Sequence, residues 1–422
     1  MNLSDLDGKR IAIWGMGREG QTTLSFLKEK FPNQKFVIIN RDEVDADEEF
    51  IAEGNIENRL NDFDVVIKSP GISYYHPAVE LMKAAGIKVT SATNIWFSLP
   101  KDGQVIAITG SNGKSTTSAL THHILKTLGK NAELGGNIGT PLLSLPADAD
   151  YYVVELSSYQ TCDLTGVPDI AVLLNLHPEH IQWHRSHEQY YHDKCNLIRR
   201  GATVNIVNAL EPRLENTENK ILFNDRNRIH FESGIIYDGD MPVGGTDNFP
   251  LLGDHNLENL CASLTILREL GLVITDCLKA SYSYAGLAHR LQIFGPVGDH
   301  MFINDSISTD PEATIAALHA LKEKDVTLIV GGEDREQDYT EMAKIIEETN
   351  TTAICVYETG PRIFDLLSDG HHQASSLADA VLCAKDITAK GGYILLSPAS
   401  PSYDAFNDFE ERGNLFMELA AS

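Results

Sequence analysis

Val105-Ile-Ala-Ile-Thr109-Gly-Ser-Asn-Gly-Lys-Ser-Thr116 is an apolar run that breaks into a glycine-rich turn and continues, from about Lys114, into a helix-forming segment. A short apolar run bounded by a turn reads as a buried strand, and strand–turn–helix is the repeating unit of parallel α/β sheets. In such a turn the backbone N–H groups point inward and cradle phosphate oxygens, and the helix N-terminus adds the positive end of its dipole. Gly110, Ser111, Asn112, Gly113, Lys114, Ser115 and Thr116 are therefore candidate phosphate-binding residues. Lys114 can reach the β- and γ-phosphates of a nucleoside triphosphate, and Ser115 can place its hydroxyl on Mg²⁺. The general pattern of such loops needs glycine at position 108, where Ile108 stands, so this is a shortened loop. The alternative is an ordinary glycine-rich turn, but Gly-Lys-Ser-Thr between a strand and a helix argues for the nucleotide.

The same alternation extends in both directions. Upstream, strands are expected at 10–14, 35–40 and 64–68, and the segment closes near 92–99, before Pro100-Lys-Asp-Gly103. Downstream, strands are expected at 151–156 and 170–175. A polar, Asn- and Gly-rich region of short strands and turns covers 216–248, and a helix begins near Asn256. After Gly286-Leu-Ala-His289-Arg290 a third segment has strands at 301–304, 327–331, 353–357 and 393–397 with helices between them. Strands alternating with helices predict parallel sheets covered on both faces. A chain of 422 residues is long enough for two or three such domains.

Composition narrows the class. Hydrophobic residues make up 42% and charged residues 22%, the balance of a soluble globular protein. No apolar run is long enough to cross a bilayer, and MNLSDLDGKR has no apolar signal core, so a cytoplasmic protein is expected. The six cysteines are scattered without a CxxC pair, which fits a reducing compartment. A net charge of −26 argues against nucleic-acid or anionic-membrane partners. An anionic substrate must then be held by local cations, N–H groups or metal ions.

Other residues carry weaker signals. Gly15, Gly17 and Gly20 form GxGxxG after the first strand, which suits a dinucleotide or another nucleotide diphosphate. The ribose-binding acid expected about 20 residues on is not clear, because the next strand ends at Asn40-Arg41. Lys68-Ser-Pro-Gly71 follows a later strand and could serve the same anion. Glu155 lies in or just after an apolar strand, where an ionised group needs a partner such as a hard cation. His177, His180, His184, His187 and His192 crowd one stretch; zinc is conceivable there, but no HExxH spacing occurs, and surface histidines are the plainer expectation. Lys194 alone would pass for a surface lysine.

In order, the chain carries the short phosphate loop, Tyr152-Val-Val-Glu155-Leu-Ser-Ser-Tyr-Gln160, Asn175-Leu-His-Pro-Glu-His180 and Lys194. Gly253-Asp-His-Asn-Leu-Glu-Asn259, Gly286-Leu-Ala-His-Arg290 and Asn304-Asp305-Ser306 follow. Leu396-Ser-Pro-Ala-Ser-Pro-Ser402 and Phe406-Asn-Asp-Phe409-Glu-Glu-Arg-Gly413 complete the series. This series, over nearly the whole chain, resembles the Mur ligases, ATP-dependent carboxylate–amine ligases of peptidoglycan precursor synthesis, and most of all their glutamate-adding members.

The resemblance implies three α/β domains: a Rossmann-like UDP-binding domain at 1–97, a central P-loop-type ATPase domain at 98–286 and a Rossmann-like glutamate-binding domain at 287–422. It implies UDP-N-acetylmuramoyl-L-alanine and glutamate as substrates, ATP with two Mg²⁺ sites, a monomer, and domain closure around the reaction. Ser115 and Glu155 would bind one Mg²⁺; His180 and Lys194, carbamylated by CO₂, the other. Asn259, Arg290 and Asp305 would hold the adenine nucleotide. Gly17, Arg18, Asn40, Arg41, Ser69 and Gly71 would hold UDP, and Asn137 and His180 would contact the acceptor. Thr309, Arg335, Ser402 and Phe409 would hold glutamate. Lys114, His180 and Lys194 would be the catalytic set.

The pattern departs in one place. Ile307 and Arg335 stand where the usual D-glutamate-adding members have lysines. With Trp14-Gly-Met-Gly-Arg-Glu-Gly20 and Pro178-Glu-His-Ile-Gln-Trp-His184, this looks more like a variant subfamily that joins L-glutamate. L-glutamate is therefore favoured over D-glutamate. The rival expectations are an NAD-dependent oxidoreductase, resting on GxGxxG alone, a folylpolyglutamate-type ligase, and a non-catalytic nucleotide-binding protein.

Overall fold

The apolar runs become the inner strands of three predominantly parallel sheets in the computed structural model, which describes residues 2–44, 46–214, 217, 219–349 and 351–422. Two compact units are present: residues 1–248 with 257–284, and residues 249–256 with 285–422.

The first unit holds two all-parallel sheets. One is ordered Glu49–Ala52, Phe36–Asn40, Ile11–Trp14, Val65–Lys68, Lys88–Thr90. The other is ordered Lys220–Phe223, Val204–Asn208, Ile170–Leu173, Gln104–Thr109, Tyr151–Glu155, Ala132–Gly136. Strands such as Ile11–Trp14 and Val65–Lys68 are buried along their whole length, which is why they read as continuous apolar runs and not as alternating ones. Strands that the sequence did not disclose are mostly short edges with little apolar content, such as Glu49–Ala52 and the glycine-ended Ala132–Gly136. Val204–Asn208 is an interior strand whose apolar run is interrupted by two buried asparagines, Asn205 and Asn208. In the polar region expected at 216–248, positions 216 and 218 lie outside the described residues. Lys220–Phe223 extends the central sheet, and Ile229–Glu232, Ile235–Asp238 and Met241–Gly245 form a small antiparallel sheet. The helix expected near Asn256 runs Asp254–Glu269.

Strand order sets where a ligand can sit. The chain reverses direction beside Ile11–Trp14 in the first sheet and beside Gln104–Thr109 in the second. Open α/β sheets bind ligands outside the carboxyl ends of strands at such reversals. Both glycine-rich turns occupy these positions.

The second unit is one sheet, ordered Gln292–Ile293, Met301–Asn304, Tyr393–Leu396, Val326–Val330, Thr352–Cys355, His372–Gln373, parallel except for the first pair. Arg412, on the Phe409–Ala421 helix, is fully buried, and the charge of Asp404 acts on it from a distance. Its guanidinium donates to Ser306 Oγ (3.0 Å) and to the carbonyls of Ser306 (2.8 Å), Ser400 (3.1 Å) and Pro401 (3.2 Å). Burial pulls its pKa down to about 10. Arg412→Met keeps much of the volume but strands several buried carbonyls, each of which costs ~1–3 kcal/mol when unpaired. We expect a loss of about 2–4 kcal/mol of stability, read as a lower urea midpoint at unchanged slope.

Candidate active site

Gly113 begins the Lys114–Thr127 helix in the left-handed region (φ 80°), and a Cβ there would lie 2.2 Å from Asn259 Oδ1. Only glycine fits. The loop is pinned from below by the segment after Ile170–Leu173. Ser111 N–H donates to the Asn175 carbonyl (2.9 Å), and Asn112 N–H to Asn175 Oδ1 (2.8 Å). Ser111 Oγ donates to the His177 carbonyl (2.8 Å) and lies 2.6 Å from Tyr190 Oη. The N–H groups of Ser111 and Asn112, expected to cradle phosphate, are thus engaged in holding the loop. The helix start at Gly113, Ser115 and Thr116 is where a helix leaves N–H groups without intrahelical partners. Lys114 Nζ donates to the Ser111 carbonyl, and Asn259 accepts from Thr117 Oγ1 at 3.2 Å.

Two buried groups converge on this loop. Glu155 ends its strand fully buried; Oε1 accepts from Asn137 Nδ2 (2.6 Å), and Oε2 has no hydrogen-bond partner. Lys194 is 1% exposed, and its Nζ donates to the Gly110 carbonyl at 2.5 Å. Burial, and then the charge of Lys114, hold the Lys194 amine well below the usual lysine pKa. His180 is exposed, leans on the Tyr159 ring (centroids 5.2 Å apart) and has its pKa lowered by partial desolvation and by Lys194 and Lys114. The phosphate loop, Asn137, Glu155, Lys194 and Asn259 are therefore brought together at the carboxyl edge of the central sheet, with His180 within electrostatic reach of Lys194 and Lys114. The Glu155 oxygen that has no hydrogen-bond partner among the described residues and the hydroxyl of Ser115 are oxygen donors that suit Mg²⁺, which takes few carboxylates and completes its shell from phosphates and water. Among the described residues no group of three His, Cys, Asp or Glu side chains is placed to hold a metal ion.

The histidine run needs a correction. His177, His187 and His192 are exposed, as expected, but His184 is fully buried. Its Nδ1 lies 2.6 Å from Asp193 Oδ2 and its Nε2 2.9 Å from Ser158 Oγ. Asp193 also accepts from Tyr75 Oη and Gln189 Nε2. Burial would raise the Asp193 pKa, but these hydrogen bonds outweigh it and hold the carboxyl below the usual range. His180 (φ 52°) and Arg185 (φ 72°) bracket the one-turn helix Ile181–His184 in left-handed conformations that cost a side-chain-bearing residue ~1–2 kcal/mol each.

At the first glycine turn a Cβ on Gly20 would meet the Gly15 carbonyl at 1.9 Å, so this close turn demands glycine. Ser69 Oγ donates to the Gly15 carbonyl (2.7 Å), and Met16 N–H to Asn40 Oδ1 (3.3 Å). Gly17 caps the Arg18–Lys30 helix, with Gly17, Arg18 and Gly71 exposed beside it. Arg41 lines a cleft of about 400 Å³ with Glu53, Ile56, Glu57, His76 and Pro77. Behind this turn lies a buried ionic cluster that no local pattern of residues marks. Lys68 Nζ lies 4.0 Å from Asp163, and burial pushes Glu19 up to about 7.

In the second unit both Asp305 oxygens are engaged within that unit: Oδ1 accepts from Leu291 N–H (3.0 Å), Oδ2 from Ser308 Oγ (2.5 Å) and Ser397 Oγ (2.8 Å). Burial raises its pKa to about 6. Arg290 keeps a buried Nε without a partner. Arg335 is exposed, bonds Glu333 Oε2 at 2.9 Å and lies 5.7 Å from the Tyr403 ring. Ser402 is buried, Thr309 and Phe409 are half-buried, and the Phe409 carbonyl accepts from Ser306 Oγ (2.8 Å).

Residues 108–267 match the Mur ligase middle domain, and residues 289–400 match the Mur ligase, glutamate ligase domain. The chain belongs to the Mur ligase family. Within it, the chain is similar to proteins named UDP-N-acetylmuramoyl-L-alanine–L-glutamate ligase. That of Xanthomonas oryzae pv. oryzae (strain MAFF 311018) is 36% identical, and that of Xylella fastidiosa (strain Temecula1) 38%, each over 100% of this chain and 97% of its own length. One from a Micromonospora species is 35% identical over 99% and 98%. Among solved structures, the UDP-N-acetylmuramate–alanine ligase of Thermotoga maritima superposes with a TM-score of 0.61 at 17% identity, covering 97% of this chain and 98% of that one. The MurF ligase of Thermotoga maritima, solved in complex with ADP, gives 0.60 at 16% identity over 97% and 94%. These likenesses show that the three-sheet fold is the Mur ligase fold. No described helix is long and apolar enough to cross a membrane.

Proposed function

We propose that this chain is a cytoplasmic ligase that uses ATP to join L-glutamate to UDP-N-acetylmuramoyl-L-alanine, a step of peptidoglycan precursor synthesis. The observation that carries the reading is the convergence of buried Lys194 and the half-satisfied Glu155 on the phosphate loop. The names of full-length relatives support the substrates.

The acceptor carboxylate attacks the γ-phosphorus of ATP, giving an acyl phosphate and ADP. The glutamate amine then attacks the acyl carbon and phosphate leaves, forming the amide. The reacting groups are anions, so the chain's task is to neutralise charge and align oxygens. Lys114 neutralises the γ-phosphate, and the N–H groups at the helix start orient the phosphate chain. Ser115, Glu155, His180 and Lys194 would hold Mg²⁺, which when bound supplies Lewis-acid neutralisation of phosphate charge. Burial lowers the proton affinity of Lys194, which favours the uncharged amine, the form that can add CO₂ and become an anionic carbamate. Asn259, Arg290 and Asp305 serve the adenine nucleotide, Asp305 by tying the segment that ends at Leu291 to its own turn at Ser308. Gly17, Arg18, Asn40, Arg41, Ser69 and Gly71 hold UDP; Asn137 and His180 meet the acceptor; Thr309, Arg335, Ser402 and Phe409 hold glutamate.

The test is phosphate release from ATP and UDP-N-acetylmuramoyl-L-alanine with L- and D-glutamate in parallel. Inverting the α-carbon while the amine stays in place exchanges the α-carboxylate and side-chain directions, so a clamp for one hand misplaces a charge for the other. A misplaced buried carboxylate costs several kcal/mol, so L-glutamate is expected to win by at least ~100-fold in kcat/KM. Turnover with D-glutamate at or above that with L-glutamate overturns the stereochemistry. No release with either overturns the ligase reading.

A further inference from the structure

Asp193 precedes Lys194 on the His187–Arg199 helix and is 1% exposed. Its carboxylate gathers donors from three separate segments. Tyr75 Oη donates to it at 2.7 and 2.9 Å from 118 positions away, Gln189 Nε2 at 2.8 Å from the same helix, and His184 Nδ1 at 2.6 Å from the turn that starts at His180. His184 Nε2 then lies 2.9 Å from the hydroxyl of Ser158, which follows Glu155 by three residues. Two further titratable groups face this carboxylate: exposed His192, at 3.5 Å, and Cys162, whose thiol donates to Tyr75 Oη at 3.5 Å.

Tyr75 belongs to the loop that leaves the first sheet through Ser69 and Gly71. That loop is fastened at two more points to the turn carrying His180: Ser73 Oγ donates to the Trp183 carbonyl (2.8 Å), and the Arg185 guanidinium donates to the Tyr75 carbonyl. The turn itself is bracketed by left-handed His180 and Arg185, a conformation such residues keep only when their surroundings hold it. Successive residues on a helix point about 100° apart, so fixing the direction of Asp193 also fixes the rotation that delivers Lys194 Nζ to Gly110.

We propose that Asp193, with Tyr75 as its donor, is a positioning residue. It ties the loop after the nucleotide-sugar turn to the two segments bearing His180 and Lys194, so that a nucleotide sugar seated at Ser69 and Gly71 is registered at the reacting end of the site. The inference rests on the functional reading above and adds to it a physical link between two ligand sites. The link is a contiguous hydrogen-bonded chain of buried groups, the kind of connection through which sites couple.

The experiment uses the full chain with Tyr75→Phe, which keeps the ring and its edge contact with Trp183 and removes only the hydroxyl. The expected result is a kcat lower by about tenfold or more and a raised KM for UDP-N-acetylmuramoyl-L-alanine, with the KM for ATP within about twofold of wild type. Tyr74→Phe, on the same loop, leaves all constants unchanged. Hydrogen–deuterium exchange supplies a readout independent of turnover. Adding the nucleotide sugar is expected to slow exchange in residues 187–199 of the wild type and not in Tyr75→Phe. Constants within twofold of wild type in Tyr75→Phe, a uniform fall in every constant together with a lower thermal midpoint, or no change in wild-type exchange each overturn the proposal. Wild-type ligation in the same preparation separates the two failures. Product from the wild type with an unaffected variant overturns the link alone, and no product from the wild type overturns the functional reading and the link with it.

Discussion

Replacing Lys114 by alanine is expected to lower ligation by at least ~1,000-fold while leaving the thermal midpoint near that of the wild type. The transferred phosphoryl group carries its charge on oxygens that only positioned cations and N–H groups can neutralise, so loss of the loop cation falls on the transition state. A thousandfold corresponds to ~4 kcal/mol of barrier. The fold should tolerate the change, because Lys114 is only half-buried and donates to the Ser111 carbonyl of its own loop. Ser111 remains held by Asn175, His177 and Tyr190 without it. Phosphate release measured beside a melting curve decides the matter. Near-normal turnover would mean that Lys114 does not face the γ-phosphate, and the ATP assignment would fall.

The phosphate loop was legible because everything that defines it is local: an apolar strand, a turn that only glycine can make at Gly113, and a helix whose first residue is Lys114. The parallel sheets were legible for a similar reason, since strands buried on both faces leave continuous apolar runs. What escaped was set by distant residues. Nothing in the spacing of the histidine run separates His184 from its neighbours; its ring is held between Asp193 and Ser158, and Asp193 is held in turn by Tyr75 from elsewhere in the chain. Ser111 belongs to the loop motif, and its N–H and hydroxyl are turned to the 175–177 segment and hold the loop in place. Arg412 stands in a run of charged residues that reads as a solvated helix face, and its burial depends on carbonyls of Ser306, Ser400 and Pro401 that only the folded sheet assembles. Asp305 was read as a nucleotide contact from its motif, and its two oxygens turn out to organise the surrounding loop.

Lys194→Ala should be inactive, and the manner of the loss tests what Lys194 becomes. A lysine ammonium buried beside a second cation and a phosphate loop is poorly stabilised, and the structure gives its Nζ one carbonyl, that of Gly110. Burial and Lys114 both favour the uncharged amine. That amine adds CO₂ to give a carbamate: a C–N bond forms, one N–H proton is released, and the uncharged amine becomes an anion. Two consequences separate this from a lysine acting as a cation. Formate or acetate should restore part of the rate to Lys194→Ala, because a small anion placed in the vacated space replaces the carbamate's oxygens. Methylamine, the corresponding small cation, should restore nothing. Stripping CO₂ from the buffer should slow the wild type reversibly and leave the variant, rescued by formate, unchanged. Lys194→Arg separates charge from chemistry, since a guanidinium keeps the positive charge, cannot be deprotonated in a protein and so cannot add CO₂. It should be as inactive as the alanine variant. Rescue by methylamine, or an arginine variant with substantial turnover, would show that the site needs the cation, and the anionic role assigned to Lys194 would be wrong.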